Sequence, residues 1–496
     1  MQLIGKDSQK VIDSINVSKQ DEVYLKIKCE PSVAQEICDY FTFTVPGYTF
    51  MPSYRMKLWD GKIRLFNIHN RLLYCGLFEY LFKFAQNRHY SINTDGTWWK
   101  PQQLNREKLD YLITSLKLPF TVRDYQLEAF HHALSYRKCL LLSPTASGKS
   151  LIIYLIVRAL NTKTLIIVPT TSLVSQLYGD FREYGWDPTK YCHQVYAGQD
   201  KVSDKQVVIS TWQSIYKLNK KIFEQYKLVI GDEAHGFKSK SLTTIMTKCT
   251  NAEYRIGTTG TLDGTQTHKL VLEGLFGKIH KVTTTKKLID RKHLSPFNIT
   301  ILSLKYPDEI CDQMRKAKYA DEIEFIVSHE KRNKYIRNLV LSLETNTLLL
   351  FRLVKKHGRI LYDMIKEEAD EQRRKTFFVF GGTDTDTREE IRRITERERD
   401  AIIVASYGVF STGINIRNLH NIVFASPSKS RIRNLQSIGR GLRLSETKEI
   451  TTLYDITDDL CIGSRKNYAF QHFEERIKIY NEERFPFKIY KIPLKA

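Results

Sequence analysis

Residues 143–150, which read SPTASGKS, carry the most specific chemical signal in the sequence. They follow an apolar run ending at Leu142 and precede an apolar, helix-like stretch. A loop between a strand and a helix that ends in Gly-Lys-Ser binds phosphate, because its backbone N–H groups surround the anion. The first position of the usual pattern GxxxxGK[ST] is Ser143 instead of Gly, a small residue that fits the turn. We predict that the following residues bind a nucleotide, with Lys149 on the outer phosphates and the Ser150 hydroxyl on Mg²⁺: Thr145, Ser147, Gly148, Lys149 and Ser150.

A pair of carboxylates, Asp232 and Glu233, follows the apolar run at residues 228–230. Carboxylates at the end of a strand, downstream of a phosphate-binding loop, hold a metal ion and position water. We predict that Asp232 holds Mg²⁺ through water and that Glu233 polarises the attacking water. His235, two residues further on, is predicted to sense the γ-phosphate or to contact the arginine-containing segment at residues 436–443. A solvated loop is the alternative, and the upstream phosphate loop argues against it.

The composition favours a nucleic-acid partner. The 496 residues include 77 Lys and Arg against 55 Asp and Glu, a formal net charge of +22. A pI of about 9.4 exceeds the guide value for nucleic-acid-binding domains, although a basic protein with well-solvated faces is the alternative. The eight cysteines form no CxxC pair, which indicates reduced thiols. Without a signal-like or membrane-length apolar run, we expect no membrane partner and a cytoplasmic location.

The chain is organised in blocks. Strand-like apolar runs alternate with helical stretches twice, and this pattern predicts an α/β fold with two parallel sheets. Only the first of the two α/β blocks holds a phosphate loop. The predicted domains are an N-terminal nucleic-acid-binding domain, a first lobe, a second lobe and a C-terminal helical tail, at residues 1–115, 116–285, 286–460 and 461–496.

The N-terminal block carries a basic and aromatic segment at residues 54–64. Its Asp-Gly pair, residues 60–61, is typical of a hairpin turn between two short runs. Basic side chains that alternate with aromatic ones suit phosphate contact and base stacking. A strand with a basic outer face is the alternative. The predicted nucleic-acid contacts are Arg55, Lys57, Lys62 and Arg64.

The order of motifs over residues 123–443 resembles that of the superfamily 2 helicases and translocases. Residues 123–126, RDYQ, resemble the family's adenine-reading motif. The resemblance therefore implies that Gln126 contacts the base edge and that Arg123 and Tyr125 line its pocket.

Further motifs of the first block continue this resemblance. Residues 168–176 resemble motif Ia, and residues 210–214 resemble the next strand-contacting motif. The resemblance implies contacts with a nucleic-acid backbone from Thr170, Thr211 and Trp212. Residues 257–262, GTTGTL, stand where motif III couples hydrolysis to domain movement, but they depart from the commoner Ser-Ala-Thr.

The second block resembles the same family. Residues 411–415, STGIN, resemble motif V, which implies contacts with nucleic acid from Ser411 and Thr412 and with nucleotide from Gly413 and Asn415. Residues 436–443 match the QxxGRxxR form of motif VI. A spacing of three is expected to place both arginines on one helical face. The residues so implied are Gln436 beside the nucleotide and the arginine fingers Arg440 and Arg443.

The resemblance implies a fold of two tandem RecA-like lobes with a small N-terminal α/β domain. It implies ATP and Mg²⁺ as cofactors, duplex and branched DNA as partners, and RNA–DNA hybrids besides. The stretches at residues 59–66, 282–288, 306–309 and 405–413 narrow the likeness to phage recombination helicases of this superfamily, which would work in a bacterial host cell. Two alternatives stay open: an RNA helicase, and a non-catalytic nucleic-acid-binding protein with a relic phosphate loop.

Overall fold

The computed structural model describes residues 13–196, 198, 200–413, 416–426, 430–444 and 448–494. Within these ranges, the side chains at positions 238, 385, 411–413, 432, 433 and 440 lie outside the description. The chain divides into two compact units: Met1–Leu142 with Ser150–Val282, and Ser143–Lys149 with Thr283–Ala496.

The N-terminal domain is a small α/β fold. Its elements are β1 (Ser14–Lys19), β2 (Tyr24–Lys28), α1 (Pro31–Tyr40), β3 (Thr42–Thr44), α2 (Pro52–Arg55), β4 (Lys62–Arg64), β5 (Phe66–Asn67), β6 (Leu72–Tyr74), α3 (Phe78–Asn87), β7 (Ser91–Thr94) and α4 (Arg106–Ser115). Five strands form a sheet in the order β5-β6-β2-β1-β7, and β3 pairs with β4 separately. Alternate residues of β1 and β2 are buried, so each strand gives one face to the core.

The Asp-Gly signal at residues 60–61 does not form the predicted hairpin. The run before it contains the short helix α2 instead of a strand, and β4 pairs antiparallel with β3. Gly61 does adopt a left-handed conformation, with φ of +78°, as the turn signal requires. The prediction was wrong because β4 finds its partner some twenty residues upstream, which a local turn signal does not register.

The first lobe alternates strands and helices. Its elements are α5 (Asp124–Tyr136), β8 (Lys138–Leu142), α6 (Lys149–Leu160), β9 (Thr164–Val168), α7 (Thr171–Glu183), α8 (Pro188–Tyr191), β10 (Cys192–Val195), β11 (Val207–Thr211), α9 (Trp212–Ile215), α10 (Lys220–Phe223), β12 (Leu228–Asp232), α11 (Lys240–Lys248), β13 (Tyr254–Thr259), α12 (Gln266–Phe276) and β14 (Ile279–Lys281). The seven strands pair in parallel in the order β10-β11-β9-β12-β13-β8-β14. Every residue of β9 and β11 is buried, as expected of strands covered on both faces.

The second lobe has the same kind of architecture. Its elements are α13 (Thr285–Asp290), β15 (Phe297–Lys305), α14 (Asp308–Gln313), α15 (Tyr319–Ser328), α16 (Glu330–Ser342), β16 (Thr347–Phe351), α17 (Arg359–Glu371), β17 (Thr376–Val379), α18 (Thr385–Arg397), β18 (Ile402–Ser406), α19 (Tyr407–Gly413), β19 (Asn421–Phe424), α20 (Arg431–Gly441), β20 (Thr451–Asp459), α21 (Tyr468–Glu482) and β21 (Phe487–Pro493). Its seven strands are also all parallel, in the order β17-β18-β16-β19-β20-β15-β21.

The predicted fold class is confirmed: two parallel α/β sheets accompany a small N-terminal α/β domain. The C-terminal segment differs from its description as a helical tail. It contains α21, but β21 follows and pairs with β15 as the edge strand of the second sheet. No helix in the described part of the chain has both the length and the apolar character needed to cross a membrane.

The N-terminal domain and the first lobe share one hydrophobic core within their unit. The buried carboxylate of Glu273, on α12, accepts a hydrogen bond of 2.6 Å from the Tyr80 hydroxyl on α3. Its other oxygen accepts from the backbone N–H of Ile279 at 3.1 Å. Glu22 adds an ion pair to Lys138, 2.7 Å long. These contacts fix the N-terminal domain to the sheet that carries the phosphate loop.

Candidate active site

The phosphate loop occupies the connection between β8 and α6. β8 ends at Leu142, and α6 begins at Lys149, so the predicted strand, loop and helix are all present. Ala146 and Gly148 both have positive φ, of 64° and 81°. Left-handed residues between right-handed ones turn successive N–H groups toward one side, which is how a loop forms a concave anion site. Gly148 accommodates this backbone without the strain that a side chain would add.

A hydrogen bond inside the loop explains the departure at its first position. The hydroxyls of Ser143 and Ser147 lie 2.6 Å apart, and both side chains are buried. The Ser147 hydroxyl also lies 2.7 Å from the Pro144 carbonyl oxygen. Ser143 therefore braces the loop from within, a contact that the usual glycine cannot make.

The Ser150 hydroxyl lies 2.9 Å from the hydroxyl of Tyr184. Burial raises the pKa of Tyr184 above its ordinary value, so this phenol stays protonated at neutral pH. If Ser150 donates its proton to Tyr184, the lone pairs of its oxygen remain to ligate a cation. A serine hydroxyl and the Asp232 carboxylate are the oxygen donors that Mg²⁺ prefers, so the residues present fit this ion.

Asp232 is the last residue of β12, and the neighbouring strand orients it. β12 pairs with β13 so that Asp232 stands opposite Thr258. The Thr258 hydroxyl donates to Asp232 Oδ1 over 2.6 Å. Because β13 lies between β12 and β8 in the sheet, Asp232 and the phosphate loop emerge at the same carboxyl edge.

Glu233 holds a strained backbone position beside Asp232. Its φ is 49° and its ψ 49°, a left-handed conformation that is uncommon outside glycine and that concentrates at functional sites. His235 Nδ1 lies 3.3 Å from Glu233 Oε2 and 3.2 Å from the Thr259 hydroxyl. Thr258 and Thr259 thus link the motif III position to both members of the carboxylate loop, with no need of the commoner Ser-Ala-Thr sequence.

Sequence reasoning missed His268, a buried residue of α12. Its Nε2 lies 2.9 Å from the His235 carbonyl oxygen, and its Nδ1 lies 2.8 Å from Asp263 Oδ1. His268 therefore connects the backbone of the carboxylate loop to the segment that follows β13. No motif marks this position, so the sequence alone gives no signal for it. The same is true of Tyr184.

The predicted adenine motif forms the N-terminus of α5. Gln126 Oε1 accepts from the backbone N–H of Arg123 at 3.0 Å, which caps the helix. Arg123 donates to the Tyr125 hydroxyl over 2.9 Å. The structure thus brings the three residues together, with Tyr125 and Gln126 buried.

Motif VI departs from its predicted geometry. Helix α20 ends at Gly441, so Arg443 lies beyond it, and the prediction that both arginines share one helical face is wrong. The end of the helix leaves the Gly441 carbonyl oxygen without an intrahelical partner, and this oxygen accepts from the Lys448 ammonium at 2.7 Å. Burial and the neighbouring Arg443 charge lower the pKa of Lys448 to about 7. Gln436 is buried on α20.

Several predicted residues of the second lobe lie wholly or partly outside the described part of the chain. Asn415 lies outside the described residues. Ser411, Thr412 and Gly413 end helix α19, but their side-chain positions are outside the description, as is the side chain of Arg440.

The predicted strand-contacting residues of the first lobe differ in exposure. Thr170 caps α7, accepting from the Leu173 N–H at 3.4 Å, and a helix N-terminus suits a phosphate. Thr211 is buried, and its hydroxyl lies 2.9 Å from that of Ser214. Trp212 is half-buried and packs against the core. Burial favours a positioning role for Thr211 over a direct phosphate contact.

The basic residues predicted in the N-terminal domain are all exposed. Arg55 donates to the Thr49 carbonyl oxygen, and Lys57 has a φ of 56°. Arg64 forms an ion pair of 2.5 Å with Asp60, which reduces its net charge toward a ligand. Lys62 follows the turn at Gly61. All four exposed basic residues thus belong to one short segment of the chain, residues 55–64.

Two family models match the chain. Residues 14–95 match the N-terminal domain of the DNA helicase UvsW, and residues 119–264 match the res subunit of type III restriction enzymes. The ATP-dependent DNA helicase uvsW of Enterobacteria phage T4 is 35% identical over 497 residues, which cover 95% of this chain and 98% of that protein. The chain belongs to the UvsW family of superfamily 2 DNA helicases.

Solved structures and other relatives agree with membership of the UvsW family. The crystal structure of T4 UvsW is 33% identical and matches with a TM-score of 0.51, covering 97% of this chain and all of that one. The DNA 3′-5′ translocase XPB2 of Sulfurisphaera tokodaii is 25% identical over 74% of this chain and 88% of its own. The restriction-modification enzyme LlaBIII bound to DNA, at 17% identity and a TM-score of 0.54, shows the fold alone, over 76% of this chain and 32% of its own.

Family membership bears on the alternatives left open by the sequence. The family is one of ATP-dependent DNA helicases, which favours DNA over RNA. The phosphate loop, the carboxylates at the end of β12 and the bracing threonines of β13 are all present. A relic loop has no need of this bracing, so the relic alternative is disfavoured.

Proposed function

We propose that this chain is an ATP-dependent DNA helicase and translocase that unwinds forks, Holliday junctions and RNA–DNA loops and moves their branch points. The observation that carries the proposal is the carboxyl edge of the first sheet. There Thr258 orients Asp232 and His235 bridges Glu233 to Thr259, within a chain 35% identical to a DNA helicase over 98% of its length.

The proposed site works by positioning and electrostatics. Backbone N–H groups of the phosphate loop and Lys149 bind the phosphates of ATP. When bound, Mg²⁺ neutralises charge on the terminal phosphates, and Ser150 and Asp232 are the residues that would hold it. Glu233 orients and polarises the attacking water, while Gln126, with Arg123 and Tyr125, reads adenine.

The second lobe is proposed to complete the reaction and grip the DNA. Arg440 and Arg443 stabilise charge that develops on the γ-phosphate, a contribution of roughly 10³–10⁵ in rate. We assign nucleotide contacts to the motif V glycine and asparagine and to the glutamine of motif VI, and backbone contacts with one DNA strand to three further positions: Thr170, Ser411 and Thr412. Residues 116–285 and 286–460 are proposed as the two lobes.

The N-terminal domain, proposed at residues 1–115, holds the branched substrate. Arg55, Lys57, Lys62 and Arg64 are exposed within ten residues of one another, and this clustering supports contacts with DNA phosphates. The protein would act in the cytoplasm of a bacterial host cell.

A strand-displacement assay on a synthetic fork tests the proposed function. Wild-type chain with ATP and Mg²⁺ is expected to release the labelled strand, whereas Glu233→Gln is expected to bind the fork and ATP without releasing it. The exposed Glu253 offers a matched control, since Glu253→Gln removes the same charge in the same lobe. Equal release by wild type and Glu233→Gln, or none by wild type, would contradict the proposal.

A further inference from the structure

A rigid loop projects from the N-terminal domain between Gly47 and Gly61. It closes the two-stranded ribbon of β3 and β4, and the bond from Val45 N–H to the Gly61 carbonyl oxygen, 2.9 Å, extends that ribbon. We call residues 47–61 the tip. Two rings inside it, Tyr48 and Tyr54, meet edge to face at 4.6 Å. The tip is therefore a packed structure on a defined base.

Its backbone is fixed at three left-handed positions, Gly47, Lys57 and Gly61. A side chain at Gly61 would meet the ring of Tyr48 at 2.3 Å, so only glycine fits. The indole N–H of Trp59 donates to the Lys62 carbonyl oxygen over 2.8 Å and ties the tip to β4. Glycine adopts the left-handed conformation freely, so among the three positions only Lys57 bears a steric cost.

Three large apolar side chains of the tip are exposed to solvent. Phe50 and Leu58 are each 76% exposed, and Met56 is 62% exposed. Over the described part of the chain, Tyr111 is the one other large hydrophobic residue exposed beyond 60%. Exposed apolar side chains that occur together in one segment indicate a binding surface, because monomeric proteins seldom expose such groups in clusters.

The charge around these apolar groups indicates what they bind. Arg55 and Lys57 alternate with Met56 and Leu58 along the tip, and Lys62 and Arg64 follow at its base. Asp60 is the one acidic residue in residues 47–64, and it is paired with Arg64. Exposed apolar side chains that alternate with basic ones complement unstacked bases flanked by phosphates.

We propose that the tip is a wedge that places Phe50, Met56 and Leu58 against unpaired bases at the branch point of a DNA fork. The inference rests on the proposed function and deepens it. The basic residues anchor the phosphates of any DNA, and the apolar residues distinguish a branch from continuous duplex.

The test compares the double variant Phe50→Ser/Leu58→Ser of the full chain with wild type at fixed salt. The probes are a fork carrying 2-aminopurine at its branch point and a continuous duplex of equal length. We expect affinity for the fork to fall about tenfold, the loss of stacking on about one base. Duplex affinity and the slope of log Kd against log salt are expected to stay unchanged. The change in 2-aminopurine fluorescence that the wild-type chain causes on binding the fork is expected to disappear.

Two comparison variants make the result specific. Tyr111→Ser removes an equally exposed side chain from helix α4 and is expected to keep wild-type fork affinity. Lys62→Ala/Arg64→Ala is expected to flatten the salt dependence on both DNAs by about one unit of slope per lost phosphate contact. Thermal unfolding of each variant is expected to match wild type, because the altered side chains are exposed.

The outcomes separate the wedge from the broader proposal. If the apolar variant binds the fork like wild type while the basic variant loses salt dependence, the wedge is overturned and phosphate binding by this domain stands. If neither variant changes binding, both fail. A change in oligomeric state of the apolar variant on sedimentation, with unaltered fork binding, would show that the tip contacts a second copy, which also overturns the wedge.

Discussion

The two seven-stranded sheets follow one topology strand for strand. In each, successive strands of the chain take positions six, three, one, two, four, five and seven of the sheet. β8 of the first sheet therefore corresponds to β15 of the second, β12 to β19, and β13 to β20. The phosphate loop and Asp232 follow β8 and end β12 in the first sheet, so the matching strand ends in the second sheet can be compared directly.

At the matching edge of the second sheet, side chains of the second lobe itself bond to the groups at the strand ends. Asp458, near the end of β20, accepts two bonds from the buried Arg332, of 2.6 and 3.0 Å. The hydroxyl of Tyr306, directly after β15, donates to the same carboxylate over 2.9 Å. Arg332 also donates to the carbonyl oxygen of Ala425, directly after β19. A buried ion pair thus joins three strand ends of the second sheet, and their counterparts in the first sheet are the ones proposed to position the nucleotide.

The same fold gives each lobe a carboxyl edge of its sheet, and the loops and side chains at that edge decide whether it can bind a ligand. In the first lobe, β8 is followed by a loop in which Ala146 and Gly148 have positive φ, a conformation from which anion sites are built. In the second, the guanidinium of Arg332 satisfies the carboxylate and carbonyl groups at the same position. We therefore expect the edge of the first sheet to bind and release a ligand, and the edge of the second sheet to stay closed by its own side chains.

We expect the largest change in activity from a substitution of Glu233 that leaves the fold intact. Glu233→Gln is expected to lower ATP turnover by about 10²–10⁴, the usual value of a positioned base, while ATP binding persists. Steady-state hydrolysis and nucleotide titration measure the two properties. Wild-type turnover would remove Glu233 from its proposed role.

In the second lobe, the matching change is expected to affect stability. Arg332→Ala leaves the buried Asp458 without its partner, so the free energy of unfolding is expected to fall by about 3–5 kcal/mol. Arg337→Ala, on the same helix, breaks a partly exposed pair with Glu368 and should cost under about 1 kcal/mol. Hydrogen exchange of the second sheet in urea measures both. Equal losses would show that the buried pair has no special role.

A smaller effect is expected inside the phosphate loop. Ser143→Ala removes the bond to Ser147, a net contribution of about 1 kcal/mol, so ATP affinity should weaken by up to about fivefold. Ser143→Thr keeps the hydroxyl and serves as the control. Calorimetric titration with ATP and Mg²⁺ distinguishes them, and unchanged affinity in the alanine variant would leave the bracing bond without functional weight.

A further expected effect concerns the acid sensitivity of the first lobe. His132 stacks on His280 with ring centres 3.8 Å apart, and burial together with the His280 charge lowers the pKa of His132 to about 4. Below pH 6.5 the unfolded chain takes up a proton that the folded lobe refuses, so this stability contribution is complete above pH 6.5 and is lost as pH falls toward 4. His132→Phe keeps a ring and removes the titration.

Urea midpoints at pH 7 and pH 5 test the acid sensitivity. The wild-type chain is expected to lose more stability between these values than His132→Phe does. Identical losses would mean that His132 does not contribute to the acid response.

The sequence allowed prediction of features encoded by local patterns. Alternating apolar runs predict the strands of both sheets, because buried parallel strands need continuous apolar residues. The phosphate loop and the carboxylates at residues 232–233 are contiguous motifs at strand ends, so the predicted context is present in the fold.

Features formed by distant residues were beyond sequence reasoning. The contact of His268 with the His235 carbonyl spans 33 residues and carries no motif. The end of α20 before Arg443 is accompanied by a bond from the Lys448 ammonium to the Gly441 carbonyl oxygen, and the pairing of β4 with β3 overrode a hairpin signal. Each of these features involves contacts that no local sequence pattern encodes.

The proposed helicase function is tested most directly by measuring ATP hydrolysis at one fixed salt concentration. Hydrolysis without nucleic acid is compared with hydrolysis in the presence of linear duplex DNA, duplex RNA, a synthetic fork or a four-way junction. We expect the fork or the junction to stimulate hydrolysis most, and Glu233→Gln to abolish the stimulated rate. Strongest stimulation by RNA, or none by any nucleic acid, would contradict the proposed function.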